Sequence, residues 1–195
     1  MKKIALFGTS ADPPTAGHQA ILKWLGDRYD YVAVWASNNP LKTHQTPLEH
    51  RTEMLKLLIA EIDTFKNNIQ LHEELSDRRT LISVQKARKK WGEDPQFILA
   101  IGSDLVRQIR RWYAVEELLA RVEILVIPRP GYPIQKTDLQ ALKDLGTKVN
   151  VADLDAPEVS STAYREAGDK DAVTLPVKNY IKRERLYRWQ KAARA

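Results

Sequence analysis

The chain has 195 residues, 43% of them hydrophobic and 29% charged, with no cysteine and a net charge of +6. This size and balance suit one domain with a substantial core and exclude disordered, collagenous and coiled-coil chains. Without cysteine there is no disulfide, thiolate metal site, iron–sulfur cluster or cysteine nucleophile. The apolar run behind Met1 is too short for a signal peptide, and no stretch approaches the ~20 apolar residues of a membrane span, so a soluble, cytoplasmic protein is expected.

In chain order, residues 4–7 form a short apolar run ending at Gly8, the pattern of a strand buried on both faces. Ala20, Ile21, Trp24 and Leu25 then recur at helical spacing. Residues 31–36 (YVAVWA) are a second strand, and after Pro47 the residues Met54, Leu55, Leu58, Ile59 and Ile62 share a helical face. A weaker strand at 69–72, a helix at 81–91 and a strong strand at 97–101 (FILAI) come next. A helix at 115–119, a strand at 123–127 (EILVI), a helix at 139–145 and a weaker strand at 149–152 follow.

The end of the chain, about 178–195, reads as a basic helix. There Lys178, Lys182, Arg183, Arg185, Arg188, Lys191 and Arg194 face Glu184 alone, so the whole net charge resides in it, while Ile181, Leu186 and Trp189 hold it down. A solvated terminal helix is the simpler reading and contact with a polyanion the functional one. No aromatic-interleaved basic groove accompanies it, and a nucleic-acid partner is not expected. The alternation predicts an α/β fold, a doubly wound, mainly parallel sheet sandwiched by helices, as a single domain over 1–195. In such a fold a ligand sits beyond the carboxyl ends of the strands where strand order reverses. That singles out residues 8–18, 37–44, 102–113 and 128–133.

The first of these reads Gly8-Thr9-Ser10-Ala11-Asp12-Pro13-Pro14-Thr15-Ala16-Gly17-His18. It lacks both the G-x-G-x-x-G dinucleotide fingerprint and the G-x-x-x-x-G-K-[ST] phosphate loop, which removes the main support for a hydride-transfer or P-loop enzyme. What remains is a small-residue turn, two prolines, and Thr15-x-x-His18 entering a helix. Three residues apart, hydroxyl and imidazole project from one face beside the helix N-terminus, where backbone N–H groups favour an anion such as phosphate. The same spacing also serves a plain N-cap with a packed histidine. Near the other end, Ser160-Ser161-Thr162 opens a helix and Arg165 follows three residues on. These groups suit phosphate oxygens, or a serine-rich cap beside a surface arginine.

Together the two motifs resemble the nucleotidyltransferase superfamily with the [HT]-x-G-H and S-S-T-x-x-R signatures. Within it, residues 3 to about 187 are similar to the bacterial nicotinate mononucleotide adenylyltransferases. Further matches are Asn38-Asn39-Pro40, Arg51-x-x-Met54-Leu55, Ile101-Gly102-Ser103-Asp104, Trp112-Tyr113, Arg129-Pro130-Gly131-Tyr132 and Leu175-Pro176-x-x-x-x-Tyr180-Ile181. The resemblance implies a Rossmann-like nucleotidyltransferase fold and an enzyme that joins ATP and nicotinate mononucleotide, giving deamido-NAD dinucleotide and pyrophosphate. Mg2+ is implied as the counterion of ATP, with no dedicated metal site, and a homo-oligomer is compatible with it.

By the same resemblance His18 contacts the α-phosphate with Thr15 beside it, while Ser161, Thr162 and Arg165 hold the leaving β,γ end. Gly8, Thr9, Ser10 and Gly17 line the ATP, and Gly102 and Asp104 receive its adenosine. Asn38, Asn39, Thr80, Trp112, Tyr113 and Arg129 bind the mononucleotide, Trp112 stacking on its pyridine ring. Lys42 or His44 reaches across as a second donor. The chain departs from the family at Thr9 (usually glycine), Ala11 (phenylalanine) and Thr15 (histidine), and Arg78-Arg79-Thr80-Leu81-Ile82-Ser83 lacks its serine–tyrosine–threonine run. Nicotinamide mononucleotide and pantetheine phosphate therefore stand as alternative acceptors, and a non-catalytic nucleotide- or nucleic-acid-binding module as the alternative from another class.

Overall fold

The computed structural model describes residues 1–38, 45–157, 159–169 and 171–187. Six strands among these residues form one sheet: β1 (Lys3–Thr9), β2 (Tyr31–Ala36), β3 (Ile69–Leu71), β4 (Gln96–Gly102), β5 (Glu123–Ile127) and β6 (Val149–Val151). Their order is β3-β2-β1-β4-β5-β6, and every pairing is parallel. Among the described residues seven α-helices accompany the sheet: α1 (Ala16–Arg28), α2 (Leu48–Ala60), α3 (Thr80–Trp91), α4 (Val115–Leu119), α5 (Lys136–Lys143), α6 (Ser161–Ala167) and α7 (Leu175–Arg183).

Side chains alternate across each strand, and both faces are covered. On one face Ala5, Phe7, Val32, Val34, Ile98 and Ala100 pack against Leu22 and Leu25 of α1, Met54, Leu55 and Leu58 of α2, and Val177 and Ile181 of α7. On the other Ile4, Leu6, Ala33, Trp35, Phe97 and Leu99 meet Leu81 and Val84 of α3, Leu118 of α4 and Leu142 of α5. Burying each such large aliphatic or aromatic side chain contributes about 1.5–3 kcal/mol. This is why the strands read as unbroken apolar runs rather than as alternating ones.

Strand ends move by at most two residues from the sequence reading, and the larger differences are in two helices. α5 spans Lys136–Lys143 instead of 139–145, because its first turn is polar and carries Asp138, while Gly146, at φ 89°, lies past its end. The terminal basic helix starts earlier, at Leu175 with Pro176 in its first turn, and stops at Arg183; Arg185 (φ 52°) and Tyr187 (φ 71°) then turn left-handed. Residues 188–195 of the expected helix lie outside the described residues. From β1 the chain winds outward through β2 to β3, then crosses back to β4 and winds the other way. The crevice at the carboxyl ends of β1 and β4 is therefore the point of reversal.

Candidate active site

The turn after β1 is fitted closely to its surroundings. A Cβ at Gly8 would lie 2.6 Å from the Trp35 ring, so only glycine admits that indole. Asp12 and Thr15 are buried, and the turn hands directly into α1, whose first residue, Ala16, donates its N–H to Ala172 O at 2.8 Å. Thr15 is the N-cap of α1 and His18 its third residue. His18 Nδ1 accepts the Thr15 N–H at 3.0 Å and lies 2.9 Å from Thr15 Oγ1, while Nε2 lies 3.0 Å from Thr9 Oγ1. A backbone amide can only donate, so Nδ1 is the bare nitrogen, and the neutral ring carries its proton on Nε2. The sequence reading put Thr15 beside the phosphate. Here its hydroxyl and amide hold the imidazole from behind, on the side away from the proton.

The late segment arrives at this same turn. Ser160 caps α6, its hydroxyl accepting the Ala163 N–H at 3.0 Å. Ser161 Oγ donates to Pro13 O at 2.8 Å, and Arg165 Nη1 donates to Asp12 O at 2.5 Å, across separations of 148 and 153 residues. Arg165 Nη2 also donates to Thr162 Oγ1 at 3.1 Å. The hydroxyls of Ser160, Ser161 and Thr162 all have partners within the protein.

Arg51 of α2 is buried, and it ties the loops of this region together. Its Nη1 donates to Ser10 O at 2.9 Å and to Ser37 O at 2.8 Å, and its Nε donates to Thr46 O at 2.8 Å. Burial lowers its pKa, and the charge of Asp12 works the other way. Asp12 in turn accepts the Thr46 N–H at 3.2 Å and the Tyr187 hydroxyl at 2.9 Å. The sequence reading met Arg51 only within the family match Arg51-x-x-Met54-Leu55 and gave it no role. Asn38 is exposed at the margin of this region; Asn39, Lys42 and His44 lie outside the described residues.

At the carboxyl end of β4, a Cβ on Gly102 would collide with Asp104 Oδ1 and with the Arg129 side chain. Arg129 Nη1 donates to Asp104 Oδ2 at 2.9 Å, whereas Asp104 Oδ1 is buried with no partner among the described residues. Beside them is a cavity of about 220 Å³ lined by Ser103, Asp104, Arg107, Tyr132, Ile134 and Asp138, among others. Trp112, just after a 3-10 turn (Ile109–Arg111), is half-buried against the core, while Tyr113 is 53% exposed. The Arg79 guanidinium lies 4.0 Å from the Tyr113 ring centroid, and Thr80 is the first residue of α3. The segments 78–80 and 112–113 are thus neighbours. Among the described residues no three acidic or histidine side chains gather as a metal cage, and no helix is long and apolar enough to cross a membrane.

A parallel sheet whose order reverses at a turn carrying an imidazole, hydroxyls and a guanidinium is an α/β fold with an anion-suited site at its switch point. The cytidylyltransferase-like family matches residues 6–167, and the chain belongs to it. It is 48% identical over 198 residues to a protein of Synechocystis sp. named a probable nicotinate-nucleotide adenylyltransferase, covering 95% of this chain and 99% of that one. It is also 30% identical over 197 residues to the nicotinate-nucleotide adenylyltransferase of Bacillus subtilis, covering 96% and 99%. The fold is shared with the Plasmodium falciparum nicotinic acid mononucleotide adenylyltransferase complexed with NaAD: TM-score 0.81, 21% identity, 96% of this chain and 98% of that chain.

Proposed function

We propose that the protein transfers the adenylyl group of ATP to nicotinate mononucleotide. A phosphate oxygen of the mononucleotide attacks the α-phosphorus in line, the bond from that phosphorus to the β,γ leaving group breaks, and pyrophosphate departs. The attacking phosphate needs no general base, so the protein's contribution is positioning and charge stabilisation. The observation that supports this reading most is the docking of α6 on the turn after β1, through Ser161 to Pro13 O and Arg165 to Asp12 O. It joins the two motifs that would grip opposite ends of one triphosphate. The names of the Synechocystis and B. subtilis relatives support the same reaction.

In this reading His18 exchanges Thr9 for a non-bridging oxygen of the α-phosphate and donates its Nε2 proton there. Thr15 acts through His18, which it orients. Arg165 keeps Nη1 on Asp12 O and offers Nη2, now on Thr162 Oγ1, to the β,γ phosphates with Ser161 and Thr162 beside it, and Lys42 or His44 supplies a further donor. The glycines Gly8 and Gly17 and the polar Ser10 line the same turn. Asp104 Oδ1 accepts a ribose hydroxyl of the adenosine, Gly102 permits its close approach, and Asn38, Asn39 and Arg129 serve the acceptor side. Trp112 stacks on the pyridine ring, and the charge of Arg79 over Tyr113 favours an acidic acceptor over its amide. Mg2+ would come as the counterion of ATP; the described side chains do not form a cage for it, and no step here depends on one. The proposed setting is the cytoplasm.

A pyrophosphate-release assay with ATP and one acceptor at a time tests the proposal. Nicotinate mononucleotide should be used best. Faster turnover with nicotinamide mononucleotide or with pantetheine phosphate would reassign the acceptor. No turnover with any of them, together with steeply salt-dependent binding to DNA or RNA, would replace the enzyme by a binding module.

A further inference from the structure

Beyond α7 the chain does something that the adenylyl transfer outlined above does not use. Arg185 and Tyr187 both adopt the left-handed conformation that side chains with a Cβ avoid. The reversal begins where Arg185 N–H donates to Lys182 O at 3.4 Å and Leu186 N–H to Ile181 O at 3.1 Å, and it points Tyr187 back under the turn after β1. The Tyr187 ring stands edge-on to Tyr164 of α6, centroids 6.0 Å apart at 86°. Its hydroxyl donates to Asp12 Oδ1 at 2.9 Å and has Thr46 as a second hydrogen-bond partner. Burial first, then the charge of Asp12, pushes the Tyr187 hydroxyl well above its ordinary range, so it remains a donor at working pH.

Asp12 is therefore held at three points. One carboxylate oxygen takes Tyr187, the other takes the Thr46 N–H, and the main-chain oxygen takes Arg165. The next carbonyl, of Pro13, takes Ser161. Releasing the Asp12 side chain removes two of the anchors on this stretch of backbone, and so loosens the two carbonyls on which α6 is docked. We propose that Tyr187 is a positioning residue for the transfer step: by fixing Asp12, it sets the distance between the donor on His18 and the guanidinium of Arg165. This rests on the proposed adenylyl transfer. It gives the segment past α7 a part in the reaction although no atom of Tyr187 touches a reacting group.

Tyr187→Phe in the full chain removes the one hydroxyl and keeps the ring on Tyr164. Because the groups it aligns act most strongly at the transition state, kcat should fall by roughly 10- to 100-fold, the loss expected for misplacement on the ångström scale. The KM for ATP should stay within about twofold, since only the transition-state contacts are weakened. Calorimetric ATP titration should still count one site per chain, which a partly unfolded sample would not give. Asp12→Asn, which keeps an acceptor but loses the charge, should show the same kcat-selective loss, and the double variant should be no worse than the more impaired single one.

An unchanged kcat in Tyr187→Phe overturns the proposal. So does a kcat loss that tracks a fall in binding stoichiometry, or losses that multiply in the double variant. Should Tyr187→Phe fail to fold, a normal kcat in a folded Asp12→Asn protein overturns it, and a kcat-selective loss there sustains it. Failure of the wild-type chain to release pyrophosphate with any acceptor would instead sink the adenylyl-transfer reading.

Discussion

Replacing Arg51 by methionine keeps most of the buried stem and removes the guanidinium. Three main-chain acceptors, Ser10 O, Ser37 O and Thr46 O, then lose donors now at 2.8–2.9 Å. A buried acceptor left unpaired costs about 1–3 kcal/mol, and with loops able to admit some water the sum is about 3–5 kcal/mol. That is a large share of the ~5–15 kcal/mol by which a domain is stable. For a chain of this length each kcal/mol lowers Tm by about 2–4 °C, so Arg51→Met should unfold about 6–20 °C early by circular dichroism. Arg51→Lys keeps the charge but cannot spread donors over three carbonyls, and it should fall between the two. The clamp assigned to Arg51 is refuted if the methionine variant melts within about 2 °C of wild type, a shift of the size expected for a surface substitution.

His18→Ala deletes a proton donor whose two ring nitrogens are held by Thr15 and Thr9, and should lower kcat by about 10²- to 10³-fold with little change in the melting curve. Near-normal turnover would remove the histidine from the phosphate site. Trp112→Ala should raise the KM for the mononucleotide by about tenfold or more while leaving that for ATP nearly unchanged, as the loss of a ring stack requires; equal rises in both would make the tryptophan structural. Glu74 gives a pH signature. Burial opposes its ionisation, but hydrogen bonds from Lys90, its own main chain and His72 prevail and hold its pKa down to about 2, from 4.5. A carboxyl depressed on folding stabilises above its unfolded pKa and loses that contribution as pH falls through the folded value. Glu74→Gln should therefore melt earlier than wild type near pH 7, the gap closing between pH 4.5 and 2; a gap that persists at the acid end would contradict the assignment.

The sheet was legible because its strands are buried on both faces. Residues 31–36 and 123–127 were bounded to the residue, and the others to within two at either end. Helices were harder to end than to find. Apolar spacing marks the buried side of α5 but not its polar first turn, and nothing in the composition of 178–195 announces a stop at Arg183. Within the site, the residue types at Thr15, His18, Ser161 and Arg165 were visible as motifs, whereas their meeting depends on two main-chain carbonyls, Asp12 O and Pro13 O, and main-chain acceptors carry no sequence signature. The work of Arg51 was hidden for the same reason. Tyr187 was hidden more deeply, because its approach requires left-handed turns at non-glycine residues, which no local pattern predicts.

The sheet tapers at both margins. β3 and β6 are three residues each, while the central β1 and β4 are seven. Rungs that short give a foreign segment little main chain to zip onto, so end-to-end stacking of copies through strand addition is disfavoured by the outline of the sheet itself. Contact between two copies then falls to side chains more than to the sheet edges, while the switch point between β1 and β4 lies two strands in from either margin.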